Sequence, residues 1–203
     1  RPPAGHELVH SAEELKMLVE ASGRAGALEE SEREIIYRAF DFADFAAHEV
    51  MVPRTEMVAV AADTPGSALL RLVRDAGYSR YPVYEGSLDQ VIGILHVRDL
   101  LDAVLENRLE RVTARDLARE ALFVPDSLPV DELLNRMREQ GTTIAVVLDE
   151  FGGTAGLVTL ENVLERLVGS LRDEFERERE PEVQPLPDGS TLISGLTLIS
   201  DVN

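Results

Sequence analysis

The residues best suited to bind a ligand lie where an apolar, strand-like pattern passes into a helical one, at residues 156–162. The first turn of a helix offers backbone N–H groups without helical partners and a partial positive charge, and both favour a phosphate group. Thr159 stands at this junction and can donate its hydroxyl to a phosphate oxygen. Asn162 follows one turn later and can hydrogen-bond ribose hydroxyls. The pattern indicates a nucleotide site, although Thr159 as a simple helix N-cap explains it equally well.

An equivalent junction occurs earlier in the chain, at residues 93–99. His96 takes the place of the hydroxyl, and its ring would crowd a phosphate, whereas Asp99 supplies a ribose-type carboxylate. We expect this first cleft to be the weaker nucleotide site, or to stay empty. A partly buried histidine at the seam between two subdomains explains His96 better than a catalytic role does.

Arg80 is the best cationic partner for a phosphate in this sequence. It follows a predicted helix end at Gly77 and precedes a predicted strand that begins at Tyr81. Its planar guanidinium can hold a phosphate through two parallel hydrogen bonds. The alternative is a surface ion pair between Arg80 and one of the many acidic residues.

The segment Thr55, Glu56 and Met57 is the candidate for the adenine end of a nucleotide. Its backbone groups would meet the edge of the base, and the flexible Met57 side chain would lie against the face of the base. Tyr78 and Tyr81 are aromatic residues that can stack on a base, but an aromatic residue at the start of a strand is more often part of the core.

The order of predicted elements recurs in the second half of the chain at an offset of roughly 64 residues. Gly77 and Gly141 both end a predicted helix, and Gly93 and Gly156 both lie in the last strand of a half. Each half therefore predicts one β-α-β-β-α unit. A single unit of this size buries its sheet faces poorly, so we expect the two units to pack together.

The N-terminal stretch alternates charged and apolar residues at helical spacing. One short amphipathic helix is predicted around residues 14–19. A second is predicted from Ser31, which has Glu34 in capping-box register, through Phe45.

The chain becomes highly charged after Gly169, which predicts a solvated helix or linker. The pair Asp188-Gly189 predicts a hairpin turn, so residues 186–198 are expected to open another domain.

Composition argues against several classes of function. The 203 residues carry a formal net charge of −18, whereas nucleic-acid and anionic-membrane binding need a basic surface. The absence of cysteine rules out disulfides, thiolate metal sites and cysteine nucleophiles. The sequence has no P-loop, no His-rich metal spacing and no Ser-His-acid grouping, and no apolar run of membrane-spanning length. We therefore expect neither an enzyme nor a nucleic-acid-binding protein.

Four segments together resemble one protein family. They are VMVPR at residues 50–54, GYSRYPVY at 77–84, GILHVRDL at 93–100 and LDEFGGTAGLVTLEN at 148–162. These segments resemble the paired CBS motifs of CorC/HlyC-type (CNNM-like) magnesium and cobalt efflux proteins. The Asp-Glu-Phe-Gly-Gly-Thr run ahead of a Gly-x-Val-Thr-x-Glu-Asn junction is the most specific part of the match.

The resemblance implies an α/β (α+β) fold, a tandem CBS-motif pair of two β-α-β-β-α units with N-terminal connector helices. It implies a helical connector from a membrane domain at 1–48, CBS motif 1 at 49–110, CBS motif 2 at 111–170, a charged helix or linker at 171–185 and the truncated start of a C-terminal transporter-associated domain at 186–203. It further implies a homodimer formed through the CBS motifs, on the cytoplasmic side of the bacterial inner membrane.

The function implied by the resemblance is regulatory: ATP with Mg²⁺ binds in a CBS cleft, and its occupancy is passed to the membrane domain. The resemblance directs Arg80 into the same cleft as Thr159. The family more often has aspartate where this chain has Asn162, and the missing charge weakens ribose binding slightly but relieves repulsion with phosphates. The alternative is a structural dimerisation module with empty clefts. The predicted nucleotide-binding residues are Thr55, Glu56, Met57, Tyr78, Ser79, Arg80, Pro82, Thr159, Glu161 and Asn162.

The acidity of the chain bears on the form of the nucleotide. Free ATP carries about four negative charges, so the field of an acidic protein opposes its binding. Mg²⁺ bound to the phosphates removes two of these charges and needs only one or two protein carboxylates, often through water. We therefore expect the Mg²⁺ complex to bind, with the metal held mainly by the phosphates and with Glu161 and Glu150 as outer-shell acids.

Overall fold

The computed structural model describes residues 11–169 and, further on, two short strands, Val183–Pro185 and Thr191–Ile193. The chain divides into two compact units, Arg1–Gly169 and Ser170–Asn203. The described helices of the first unit are α1 (Ala12–Arg24), α2 (Glu30–Asp41), α3 (Ala47–Val50), α4 (Gly66–Ala76), α5 (Val97–Leu105), α6 (Ala114–Leu117), α7 (Val130–Gln140) and α8 (Leu160–Val168). Its strands are β1 (Val52–Pro53), β2 (Val60–Ala61), β3 (Arg80–Tyr84), β4 (Val91–His96), β5 (Ala118–Arg119), β6 (Leu122–Pro125), β7 (Ile144–Leu148) and β8 (Thr154–Thr159).

The two N-terminal helices form as the charge pattern predicts, but the second has different ends. Glu14 N and Ser11 N each donate to the other residue's side chain over 3.2 Å, which caps the start of α1. The N-cap of α2 is Glu29, two residues before the predicted capping residue Ser31, so Ser31 lies within the first turn. Because α2 ends at Asp41, Phe45 lies beyond the helix rather than on it.

The predicted repeat is confirmed. The first repeat runs β2-α4-β3-β4-α5 and the second β6-α7-β7-β8-α8. In each repeat the first strand pairs in parallel with the second, and the second pairs antiparallel with the third. Gly77 and Gly141 end α4 and α7 in the left-handed conformation, with φ of 77° and 62°, which glycine adopts without a steric penalty. The fold is mixed α/β, with two four-stranded sheets.

Each sheet is completed by an edge strand from outside its own repeat. The strand order is β2-β3-β4-β5 in the first sheet and β1-β8-β7-β6 in the second. The strand β1 precedes the first repeat but pairs with β8, and β5 follows the first repeat and pairs with β4. Because β1 pairs with β8, the segment that leads into the first repeat is tied to the second repeat.

Gly93 and Gly156 make these edge strands possible. A side chain at Gly93 would collide with the carbonyl oxygen of Arg119 in β5, and one at Gly156 with the carbonyl oxygen of Val52 in β1. Glycine at these two positions allows a close backbone approach. The structure shows that the approaching backbone is a neighbouring strand.

The core consists of three apolar layers. One lies between the first sheet and its helices and includes Tyr81, Val83 and Leu95. The second lies between the second sheet and its helices and includes Val147 and Val158. The third lies between the two sheets and is formed by Met57, Val91, Ile94, Ala121, Ile144, Val146 and Leu157. The sheets therefore pack face to face, as the small size of each unit required.

The second unit shows two described strands, β9 (Val183–Pro185) and β10 (Thr191–Ile193). They pair antiparallel, with Val183 opposite Ile193, on either side of the Asp188-Gly189 pair that predicted a hairpin turn. The rest of the predicted charged segment at 171–185 lies outside the described residues.

Candidate functional site

Thr159 is the last residue of β8 and the N-cap of α8. Its hydroxyl donates to Asn162 Oδ1 over 2.8 Å, its backbone N–H donates to the same oxygen over 2.9 Å, and Asn162 N donates to Thr159 Oγ1 over 3.3 Å. The N-cap interpretation is therefore confirmed. A ligand that accepts the hydroxyl proton of Thr159 has to replace Asn162 as its acceptor.

Next to this cap lies a threonine hydroxyl that sequence reasoning missed. Thr143 Oγ1 is buried and has no hydrogen-bond partner among residues 11–169. Thr143 precedes Ile144, which pairs with Thr159 across β7 and β8, and its carbonyl accepts from Leu160 N over 2.9 Å. The repeat could have revealed it, because Thr143 is the counterpart of Ser79. A buried unpaired hydroxyl costs free energy, so its presence at the mouth of β8 suggests a polar ligand.

Strand alternation places Thr159 and Arg80 on facing surfaces of the two sheets. Leu157 packs in the inter-sheet layer and Val158 packs under the helices, so Thr159 returns to the inter-sheet face. In β3, Tyr81 and Val83 pack under the helices, so Arg80 lies on the opposite face, toward the second sheet. Pro82 shares that face and is buried.

Arg80 also lines a cavity of about 400 Å³, which we call the arginine cavity. Thr159 is absent from its lining. Within residues 11–169, Arg80 makes no salt bridge, contrary to the surface ion pair that was its alternative explanation. The lining residues, all from the first sheet, α5 and the residue before β3, are Ser79, Arg80, His96, Val97, Arg98, Leu101 and Arg119.

The ribose-type carboxylate of the first junction is already paired. Arg119 Nε donates to Asp99 Oδ2 over 2.6 Å, and a second guanidinium nitrogen donates to Asp99 Oδ1. These hydrogen bonds hold the pKa of Asp99 below its usual value. The sequence indicated Asp99 as a ribose-type carboxylate in a cleft that we expected to be weak or empty. The structure instead gives it a bidentate arginine partner on β5.

His96 is half-buried at the end of β4, opposite Arg80 on β3. Burial lowers the pKa of His96, and the nearby Arg119 and Arg80 cations lower it further, against the opposing charge of Asp99. The ring is therefore neutral near pH 7. This agrees with a partly buried histidine rather than a catalytic one.

The candidates for the adenine end lie in different environments. Thr55 and Glu56 are exposed in a short 3-10 turn, Arg54–Glu56. Met57 is buried in the layer between the sheets, so its side chain is part of the core. Tyr81 is fully buried, whereas Tyr78 is 51% exposed and contacts the Tyr81 ring edge to face at 6.1 Å. Of the two tyrosines, only Tyr78 is therefore accessible for stacking.

The acids suggested as outer-shell magnesium partners, Glu150 and Glu161, are both exposed. Across the part of the chain that the structure describes, no group of three or more His, Asp or Glu side chains is placed to hold a metal ion. Nor does any helix in that part have the length and apolar character needed to cross a bilayer.

Two β-α-β-β-α repeats, packed face to face with exchanged edge strands, define a tandem CBS pair. The family model of the CBS domain matches residues 47–106 and 113–169, and the chain belongs to this family. Its relatives and structural neighbours include members of the CNNM/CorC family, which confirms the resemblance noted in the sequence.

Curated relatives match the whole chain or most of it. The chain is 33% identical to the UPF0053 protein YrkA of Bacillus subtilis (strain 168), over 100% of this chain and 48% of that protein. It is 36% identical to the magnesium and cobalt efflux protein CorC of Vibrio cholerae serotype O1, over 84% of this chain and 58% of that protein. The chain spans about half the length of such curated relatives as YrkA and the UPF0053 proteins YhdP and YhdT of Bacillus subtilis.

Solved structures of similar chains share the fold. The CBS domain of the bacterial CNNM/CorC family Mg²⁺ transporter is 38% identical, with a TM-score of 0.77, and the match covers 81% of this chain and 100% of that one. A structure of that domain in complex with ATP is 40% identical, with a TM-score of 0.66, over 69% of this chain and 99% of that one.

Proposed function

We propose that this chain is the regulatory CBS pair of a magnesium or cobalt efflux protein and that it binds ATP with Mg²⁺. The observation that carries the proposal is the polar mouth at the end of β8. There the hydroxyl of Thr159 donates to the amide oxygen of Asn162, and Thr143, whose Oγ1 is unpaired, directly precedes Ile144, the residue that pairs with Thr159. A CBS domain 40% identical to this chain has been solved in complex with ATP, which supports the same ligand class here.

The predicted residues, together with Thr143, divide into three groups around the nucleotide. Thr159 and Thr143 hold phosphate oxygens at the first turn of α8, and Asn162 meets the ribose. Arg80 holds phosphate from the facing sheet. Thr55, Glu56, Met57, Tyr78, Ser79 and Pro82 form the adenine end, mainly through backbone groups, and Glu161 stands at the rim.

The nucleotide binds as its Mg²⁺ complex. The −18 charge of the chain opposes free ATP, and Mg²⁺ halves the charge of about four that the ligand carries. Phosphate oxygens supply most of the metal ligands, because the described residues offer no cluster of three acidic or histidine ligands. Glu161 and Glu150 are exposed and can act through water.

Helix α8 provides the connection from this site to the N-terminal helices. Its first turn begins at Thr159, and in its last turn the Arg166 guanidinium lies 5.2 Å from the centre of the Phe45 ring. Arg166 also donates to the carbonyl of Glu49 over 3.0 Å. A ligand that releases Asn162 from the cap changes the start of α8, and the packed helix transmits that change toward the membrane domain.

A homodimer is the proposed assembly. Leu101 and Leu105 on α5 and their counterparts Leu164 and Val168 on α8 are exposed, by 52%, 79%, 36% and 50%. Apolar residues exposed at equivalent positions of both repeats suit an interface that buries both helices, as pairing through the CBS motifs requires.

Two matched variants test the nucleotide site by isothermal titration with ATP. Thr159→Ala and Thr113→Ala each remove the threonine of a capping box, because Thr113 hydrogen-bonds Asp116 at the start of α6. Both should lose about 1 kcal/mol of stability. Only Thr159→Ala should weaken ATP binding, by about tenfold, as expected for the loss of a hydrogen bond to a charged group.

Equal ATP affinity of the two variants, or no binding by the unaltered chain, would refute the nucleotide site. Equal affinity in excess chelator would refute the magnesium part alone. The alternative, a structural dimerisation module with empty clefts, predicts no ATP binding together with an intact dimer. An enzyme predicts steady phosphate release from ATP, which we do not expect.

A further inference from the structure

We propose that Asp89 is a positioning residue for the adenine end of the nucleotide, because its carboxylate holds the turn Arg54–Glu56 through Arg54. Asp89 lies in the loop between β3 and β4, two residues before β4 begins at Val91. The inference rests on the proposed function, in which the backbone of this turn meets the base. It adds a residue that acts through Arg54 and that favours adenine over guanine.

Both oxygens of the Asp89 carboxylate accept hydrogen bonds. The Arg54 guanidinium donates to Oδ1, and the Ser87 hydroxyl donates to Oδ2 over 3.2 Å. The Arg54 side chain is 43% exposed and that of Asp89 is 57% exposed, and an ion pair of such exposure contributes little to stability on its own. We therefore expect the pair to fix where the turn lies rather than whether the chain folds.

The backbone of Asp89 is anchored to the second repeat. Its carbonyl oxygen accepts from Thr154 N over 3.1 Å and from Thr154 Oγ1 over 3.2 Å. Thr154 is the first residue of β8 and is fully buried, so these hydrogen bonds satisfy polar groups that water does not reach. The same strand pairs with β1, where Pro53, next to Arg54, lies opposite Gly156. The start of β8 therefore fixes both Asp89 and the residue that precedes the turn.

The turn needs such support to recognise a base. It is three residues long, and the hydrogen bond that closes it, from Met57 N to Arg54 O, is long at 3.3 Å. Met57 is buried and anchors one end, while Thr55 and Glu56 are exposed. Adenine offers an N6 donor where guanine offers an O6 acceptor, so backbone groups placed for one base do not match the other. A turn released by the loss of Asp89 loses this selectivity, while the phosphates still bind at the first turn of α8.

Isothermal titration with the Mg²⁺ complexes of ATP and GTP tests the inference. Asp89→Ala keeps the carbonyl that Thr154 contacts and should lower the ratio of ATP affinity to GTP affinity about tenfold, mainly by weakening ATP binding. Arg54→Met should do the same, and its effect should not add to that of Asp89→Ala, since both variants break one ion pair. Glu85→Ala is the matched control, because it removes another acid of the same loop, which pairs with Arg115, and it should leave the ratio unchanged.

Charge alone predicts the opposite result. Removal of an acidic residue makes this chain, with its net charge of −18, less acidic, which favours an anionic nucleotide of either kind. A selective loss of ATP binding in Asp89→Ala therefore supports the positioning role. An unchanged ratio, an equal loss of both nucleotides or an equal change in Glu85→Ala overturns it, as does equal binding of ATP and GTP by the unaltered chain. If that chain binds neither nucleotide, the proposed nucleotide site is itself refuted, and the positioning role falls with it.

Discussion

Replacing Thr143 by valine should make the chain more stable and a weaker nucleotide binder. The buried Thr143 Oγ1 has no hydrogen-bond partner among the described residues, and valine keeps the shape of the side chain while removing the hydroxyl. Few substitutions in a core improve stability, so a gain here would be diagnostic of a polar group retained for a ligand.

The magnitude follows from the cost of the unpaired hydroxyl. A buried polar group without a partner costs about 1–3 kcal/mol. Replacement by valine recovers only part of this cost, because the neighbouring groups do not rearrange fully around the new methyl group. We expect Thr143→Val to raise the free energy of unfolding by about 1 kcal/mol, or the melting temperature by about 2–4 °C in a domain of this size. ATP affinity should fall about tenfold, because the hydroxyl can no longer reach a phosphate.

Thr142→Val is the matched control for this experiment. The Thr142 hydroxyl donates to Ile144 O over 3.1 Å, so its removal breaks a hydrogen bond and should cost about 1 kcal/mol. Urea unfolding gives both stabilities, and isothermal titration gives the two ATP affinities. If Thr143→Val is destabilised as much as Thr142→Val, or binds ATP as the unaltered chain does, our explanation of the unpaired hydroxyl is wrong.

Three further outcomes are expected. The pKa of His96 is lowered in the folded chain, so the unfolded chain takes up a proton more readily and the free energy of unfolding falls as pH drops below the ordinary pKa of 6.5. Urea unfolding between pH 5.5 and 7 should show this decrease, and His96→Gln should reduce it. Gly156→Ala forces β1 away from β8 and should cost about 2 kcal/mol or more in urea unfolding, and a cost near zero would contradict the edge-strand contact. Leu105→Glu places a charge on the exposed face of α5 and should shift the proposed dimer to monomer in sedimentation velocity, whereas Glu110→Gln, outside that helix, should not.

Several parts of the fold could be predicted because they are encoded locally. Helix periodicity located α4, α5, α7 and α8, and Gly77 and Gly141 marked two of their ends. The repeat followed from the recurrence of these signals, and packing of the two units followed from their small size. The start of α2 was misplaced, because Glu29 and Ser31 both stand three residues before a glutamate and the capping pattern does not choose between them.

The candidate site was predictable only in part. The sequence pattern identified Thr159 at a strand-to-helix junction, since an N-cap leaves a local signature. It identified Arg80 by residue type and position, and strand alternation in the structure then assigned its face. Thr143 was missed, although the repeat makes it the counterpart of Ser79, because its neighbours in the sequence do not indicate that its hydroxyl is buried without a partner.

By itself, the sequence determined the two repeats, the turns that end their helices and the cap that begins α8, because each depends on residues a few positions apart. The tertiary structure alone decided which strand completes which sheet, since β1 and β5 are two residues long and carry no periodic pattern. Pairing of β5 with β4 brings Arg119 to Asp99, 20 residues away, and turns a presumed ribose ligand into part of a cationic cavity. Such contacts depend on which strands become neighbours in a sheet, and the local sequence pattern does not indicate this.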